Sequence, residues 1–122
     1  MKRKVIKRAK RGKYNAIRTQ TADGITHASK KEAARWLFLL EQQAKGVIRD
    51  LRRQVKYELH VQDIKVGSYI ADFVYLHPEK GLVVTDVKSK ATITALYRRN
   101  KKHLWIEFGI NVIEVFDPLE PV

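Results

Sequence analysis

The chain contains no cysteine. Disulfides and cysteine-rich zinc sites are therefore excluded, and a reducing compartment is the simplest home. No stretch approaches the ~18–20 apolar residues of a membrane span. The basic start Met1-Lys2-Arg3-Lys4 is not followed by the ~7–15-residue apolar run of a signal peptide. A soluble, cytoplasmic protein with no membrane partner is the expectation. The four histidines, His27, His60, His77 and His103, are scattered without metal-ligand spacing such as His-x3-His, which argues against zinc. No glycine-rich phosphate loop, no Ser-His-Asp arrangement and no internal repeat stands out.

Acidic residues are missing from one segment altogether. Residues 1–13 carry Lys2, Arg3, Lys4, Lys7, Arg8, Lys10, Arg11 and Lys13, and no Asp or Glu. Of the 25 Lys and Arg in the chain, eight fall here, which leaves 17 against all 13 acids. The net charge of +12 is thus mostly a basic arm, expected to be flexible, on a mildly basic domain. Such an arm suits a phosphate backbone, where each neutralised phosphate releases counterions; a solvated tail, a nuclear localisation signal and an anionic-membrane contact are the alternatives. Residues 14–122 form a single domain, and an apolar content of 44% is enough for a core.

The domain reads as alternating helices and strands. Tyr14–Arg18 against Gly24–Thr26 suggests a small hairpin turning at Asp23-Gly24. Ser29-Lys30-Lys31-Glu32 is a capping box opening a helix that Gly46 stops. Val55, Tyr57, Leu59 and Val61 alternate with polar residues as a half-exposed strand, and Ile64 to Gly67 turns the chain. Tyr69–Tyr75 and Leu82–Lys88 are two further strands. A second helix spans about Thr92 to Phe108 and ends at Gly109, and Ile110 to Phe116 is a last strand. Three consecutive strands favour an antiparallel meander, and the helix before the fourth favours a parallel right-handed crossover. The expected fold is α/β, a mixed four-stranded sheet flanked by helices. Trp36 and Trp105 read as core residues rather than base-stacking platforms.

Three charged residues stand where buried strands want aliphatic ones. Side chains on a strand alternate faces, so Asp72 should share a face with Ile70 and Val74, and Asp86 and Lys88 with Leu82 and Val84. Taking a charge out of water costs several kcal/mol unless it is paired or bound to metal. Asp86 and Lys88 project together, with Cα atoms roughly 6.5 Å apart. If the two strands pair, Asp72 and Asp86 can share one hard cation. Such an ion acidifies water and offsets charge on a phosphoryl transition state, while Lys88 can orient or deprotonate the attacking water. The alternative is a buried Asp86–Lys88 ion pair with Asp72 satisfied by backbone donors. Glu32 is either a third carboxylate of the site or merely the acid of its capping box. Lys30 and Lys31 beside it, and Arg98, Arg99, Lys101 and Lys102 on the second helix, are further candidate phosphate contacts.

A helix bearing Glu, an Asp on the second strand and Asp-x-Lys on the third resemble the PD-(D/E)XK nuclease superfamily, whose restriction-endonuclease-like core has the order αβββαβ. More narrowly, Asp23-Gly24-Ile25, Ser29–Ala33, Tyr69–Phe73 and Asp86-Val87-Lys88 resemble a small phage and prophage family, long carried as a domain of unknown function and assigned to that superfamily. The resemblance covers roughly residues 14–116. Ala71 stands where the motif name expects Pro, and the acid before the lysine is Asp rather than the commoner Glu.

The resemblance implies that Asp72 and Asp86 ligate Mg²⁺ or Mn²⁺, with Glu32 near the metal and Lys88 as catalytic lysine. It implies a nuclease domain over residues 14–122, acting on DNA in a host cytoplasm. Small relatives of this layout include phage and archaeal Holliday-junction resolvases, so branched recombination or replication intermediates are the expected substrate. Two symmetric cuts would require a homodimer, through Trp36, Phe38 and Leu39 or through Tyr97 and Trp105 if one helix face exceeds what the sheet can cover. Two competing expectations are a non-catalytic DNA-binding module on a nuclease-like fold and a basic RNA-binding protein.

Overall fold

Ser29 holds extended backbone (φ −150°, ψ 162°), and its Oγ accepts the Glu32 N–H at 3.1 Å. Helix α1 (Lys30–Ala44) therefore begins where the Ser-x-x-Glu pattern places it. Gly46, at φ +77°, takes the left-handed turn just past its end. The computed structural model describes residues 17–122, so the basic arm and residues 14–16 of the expected hairpin lie outside the described residues. The hairpin that is described pairs β1 (Thr19–Gln20) with β2 (Thr26–His27), so its first strand lies just past the expected Tyr14–Arg18 and its second overlaps the expected Gly24–Thr26 only at Thr26.

The main sheet has the order β3-β4-β5-β6. Strands β3 (Arg49–Val61), β4 (Ile64–His77) and β5 (Gly81–Val87) form the antiparallel meander. Helix α2 (Ala95–Phe108) crosses over to β6 (Val112–Val115), which lies parallel to β5. The α/β fold with a mixed four-stranded sheet is thus the observed one. Thr94 Oγ1 caps α2 by accepting the Tyr97 N–H at 3.1 Å, so the helix starts three residues later than its apolar pattern suggests, after a 3-10 turn at Lys90–Thr92.

Two strands are longer than their alternation implied. β3 starts at Arg49 rather than Val55, because a register shift between Arg49 and Arg52 interrupts the period. Its turn to β4 is only Gln62-Asp63, with Gln62 at φ +55°, and Ile64–Gly67, expected as a turn, opens β4. Near that end Glu107 of α2 accepts from His60 Nδ1 at 2.9 Å and lies 3.2 Å from His103 Nε2. His103 Nε2 also lies 2.9 Å from His60 O, so two histidines far apart in sequence pin α2 to β3.

The core falls into two clusters. Trp36, Leu39 and Ile48 pack with Phe73, Tyr75 and Val83, and Trp36 stacks on Phe73 at 5.8 Å between ring centroids. Tyr97 and Leu104 pack with Leu59, Tyr69, Ala71, Val74, Val84 and Val112. Of the α1 residues that could serve a dimer if the helix offered more apolar surface than the sheet covers, Trp36 and Leu39 are buried and Phe38 is partly buried. Trp105, expected in the core, is 57% exposed. No described helix is long and apolar enough to cross a membrane.

Candidate active site

The β4–β5 ladder runs from His77↔Gly81 to Phe73↔Thr85 and stops. The next positions in register are Asp72 and Asp86. There the strands are joined by side chains instead of by backbone pairs. The Asp72 N–H donates to Asp86 Oδ1 at 2.9 Å, and the Val87 N–H donates to Asp72 Oδ2 at 3.0 Å. Tyr69 Oη donates to Asp86 Oδ2. The sequence therefore does bring the two aspartates together, in a gap between strands rather than on a regular sheet face.

The simple alternation that placed Asp72 beside Ile70 and Val74 fails at this point. Ile70 is 52% exposed, whereas Val74 is buried in the α2 cluster. Tyr69 and Ala71 pack with α2, but Phe73 and Tyr75 pack with α1, so β4 changes faces at Asp72. β3 does the same: Leu51 joins the α1 cluster, and Val55 and Tyr57 join the α2 cluster. Between them Gln54 takes φ +53°, in the left-handed region. Arg53 pairs with Phe73 and Val55 with Ala71, which sets Gln54 opposite Asp72.

Gln54 connects the third carboxylate to the pair. Its Nε2 donates to Glu32 Oε1 at 3.0 Å and reaches Asp72 Oδ1 at 3.4 Å. The capping box is only half made. Ser29 Oγ takes the Glu32 N–H, but the Glu32 carboxylate turns to Gln54 rather than back to the Ser29 N–H. Glu32 is 5% exposed. Burial, then the Asp72 charge, pushes its carboxyl up to about 7, against the pull of Arg53. Burial also raises Asp72 and Asp86, opposed in Asp72 by the Val87 N–H and Lys88, and in Asp86 by the Asp72 N–H and Lys88.

Lys88 follows β5, anchored by its N–H to Val115 O at 2.8 Å. Its ammonium lies over the Tyr97 ring, 3.7 Å from the centroid, and among the described residues no ion pair joins it to either aspartate. The simple Asp86–Lys88 ion pair is therefore not what the strands build. Asp72, Asp86, Lys88 and Tyr97 line a cleft of about 350 Å³ with Tyr69, Thr94 and Asn100. Lys31 reaches in from α1, donating to Lys88 O at 3.2 Å, while Lys30 stays exposed. On α2, Arg98, Arg99 and Lys102 are exposed and Lys101 lies 3.6 Å from Glu114. Glu114 pairs in register with Asp86.

The donor set suits a hard cation. Three carboxylates carry pKa values raised by burial, and a cation would offset that cost. Asp72 Oδ1 holds only the long contact to Gln54. The site nonetheless offers two converging carboxylates, not three. Among the described residues no three Asp, Glu or His side chains form a ready cluster for one ion, and Glu32 joins the pair through Gln54. Sequence reasoning missed Gln54, Arg53, Tyr69 and Tyr97. Their part depends on a positive φ and a change of face that periodicity does not record.

The fold and this carboxylate gap define a small α/β protein with a cleft lined by two aspartates and a lysine. The chain belongs to the family described as "Protein of unknown function (DUF1064)", whose model matches residues 11–109. No curated protein and no solved structure matches it.

Proposed function

We propose that this protein is a metal-dependent DNA endonuclease of PD-(D/E)XK type, hydrolysing phosphodiester bonds, with branched recombination or replication intermediates as favoured substrate. The observation that carries the reading is the open β4–β5 junction. A buried carboxylate, Asp86, and a partly buried one, Asp72, face each other there, with Lys88 two residues past Asp86 in the same cleft. Asp72 and Asp86 would hold Mg²⁺ or Mn²⁺, leaving the remaining positions to water and phosphate oxygens. When bound, such an ion acidifies water and offsets charge on the phosphoryl group.

The chain's own groups divide the remaining work. Val87 N–H and Asp72 N–H fix the two carboxylates in orientation. Tyr69 holds the far oxygen of Asp86. The Tyr97 ring supports the Lys88 ammonium, so that it stays at the cleft to orient the attacking water or steady the phosphate. Gln54 links Glu32 to this set.

The test is Mg²⁺- or Mn²⁺-dependent nicking of a plasmid, followed by a panel of four-way junction, flap, duplex, single strand and RNA. Cleavage of DNA that requires the metal supports the reading, and no cleavage of any member with either ion overturns it. One observation favours a second reading, a non-catalytic DNA-binding module. Both Asp86 oxygens are already satisfied by protein donors. DNA binding without metal-dependent nicking would select it.

A further inference from the structure

Helix α2 puts Arg98, Lys101, Lys102 and Trp105 at i, i+3, i+4 and i+7, which is one face of a helix. They line a second cleft, of about 490 Å³, whose far wall includes Asn111 and Glu114. Trp36 serves the α1 core, but Trp105 is left 57% exposed, with its ring in this cleft. Glu114 pairs with Asp86 across β5 and β6. One wall of the second cleft is therefore on the strand next to Asp86.

We propose that this face of α2 binds an unpaired DNA strand, with one base stacked on Trp105 and the neighbouring phosphates on Arg98 and Lys102. The inference rests on the nuclease reading above and gives it a substrate class, duplex DNA carrying a single-stranded arm. An indole offers a flat π-face of its own size to a base, and only a base outside a duplex has a face free to meet it. The cations around the ring choose the occupant. A second copy of this chain would set like charges against Arg98, Lys101 and Lys102, whereas a polyanion is attracted. Glu114 lies 3.6 Å from Lys101. Its charge keeps phosphate off the inner wall and leaves the exposed Arg98 and Lys102 to take it.

The test is binding of the full chain, in EDTA, to a labelled oligothymidylate and to a blunt duplex of equal length. Trp105→Ala should weaken oligothymidylate binding about ten- to hundredfold, with duplex affinity changed less than about twofold. Trp105→Phe should retain most of the affinity. The oligothymidylate should quench tryptophan emission in the native chain and not in Trp105→Phe, a readout that does not depend on the alanine variant folding. Equal losses on both DNAs, or no loss and no Trp105-dependent quenching, overturn the proposal. Because EDTA removes cleavage, the outcomes separate. Selective loss in a protein that never nicks DNA keeps the strand site and removes the nuclease. Nicking with an unselective loss does the reverse.

Discussion

Asp72 and Asp86 each accept a backbone N–H from the other's strand: the Asp72 N–H meets Asp86 Oδ1 at 2.9 Å and the Val87 N–H meets Asp72 Oδ2 at 3.0 Å. The carboxylates stand in for ladder bonds where β4 and β5 part. They are held by the fold before any ligand arrives, and burial raises both pKa values. The same arrangement that ties two strands together thus concentrates negative charge that a cation would relieve.

Asp72→Asn and Asp86→Asn should each lower cleavage by about two orders of magnitude or more while keeping the fold. Asparagine retains one carbonyl oxygen for the backbone N–H at nearly the same volume. Removing a buried charge should also leave the melting temperature equal or higher at pH 8. Plasmid nicking and thermal melting by circular dichroism measure the two effects. Full Mg²⁺-dependent activity in either variant would sink the site assignment.

Glu32 sets a pH dependence of stability. Its folded pKa of about 7 lies above the ordinary 4.5. A carboxyl raised on folding contributes stability that is full below about pH 4.5 and is lost as pH rises through about 7. The loss is on the order of 3 kcal/mol at most. Glu32→Gln cannot ionise, so relative to the native chain it should gain stability between pH 5 and 8, with little change at pH 4. Urea melts across that range check it. An advantage that grew toward low pH would contradict the sign.

Lys88→Ala should remove activity but keep metal binding, because an ammonium is not a metal ligand. It leaves Tyr97 without the cation now 3.7 Å over its ring, an interaction of about 0.5–2 kcal/mol, so a small drop in melting temperature is expected. Calorimetric titration with Mn²⁺ separates the roles. If Lys88→Ala lost metal affinity as badly as Asp86→Asn, the division of labour would be wrong.

Deleting residues 1–13 removes eight positive charges. If about half meet phosphates, the slope of log K against log salt should shrink by about 3–4 at ~0.9 per phosphate on duplex DNA. Cleavage at saturating DNA should survive. An unchanged slope would make the arm a bystander.

The parts of this fold that were legible in the sequence are those written in local chemistry. Ser29 and Gly46 bound α1, Gly109 ends α2, and the meander followed by a parallel crossover comes from element order. The pairing of Asp72 with Asp86 was legible too, since two charges in apolar strands need a common explanation. What was hidden depends on breaks in periodicity. A strand that changes faces at Asp72 puts Tyr69 and Phe73 in different cores, although a period of two puts them on one face. Trp105 has the bulk of a core residue, but only the packing of α2 against the sheet decides that its side faces water.

Gln54 offers the sharpest separation of site from scaffold. It is a non-glycine residue at φ +53°, a conformation that costs an L-residue about 1–2 kcal/mol, and it bridges Glu32 and Asp72. Backbone strain of this kind persists where the surroundings enforce it. Gln54→Ala keeps the strain and loses the bridge, so activity and stability should both fall. Gln54→Gly loses the bridge and the strain together, at an entropic cost of about 0.5–1 kcal/mol. The glycine variant should therefore melt higher than the alanine variant, by roughly 1 kcal/mol or less, while both lose cleavage by about tenfold or more, the size of effect seen when a supporting hydrogen bond at a metal site is removed. Paired melting and nicking of the two variants measure this directly. Equal activity in the native chain and in either variant would mean that Gln54 serves only the turn of the strand, and that Glu32 acts without it.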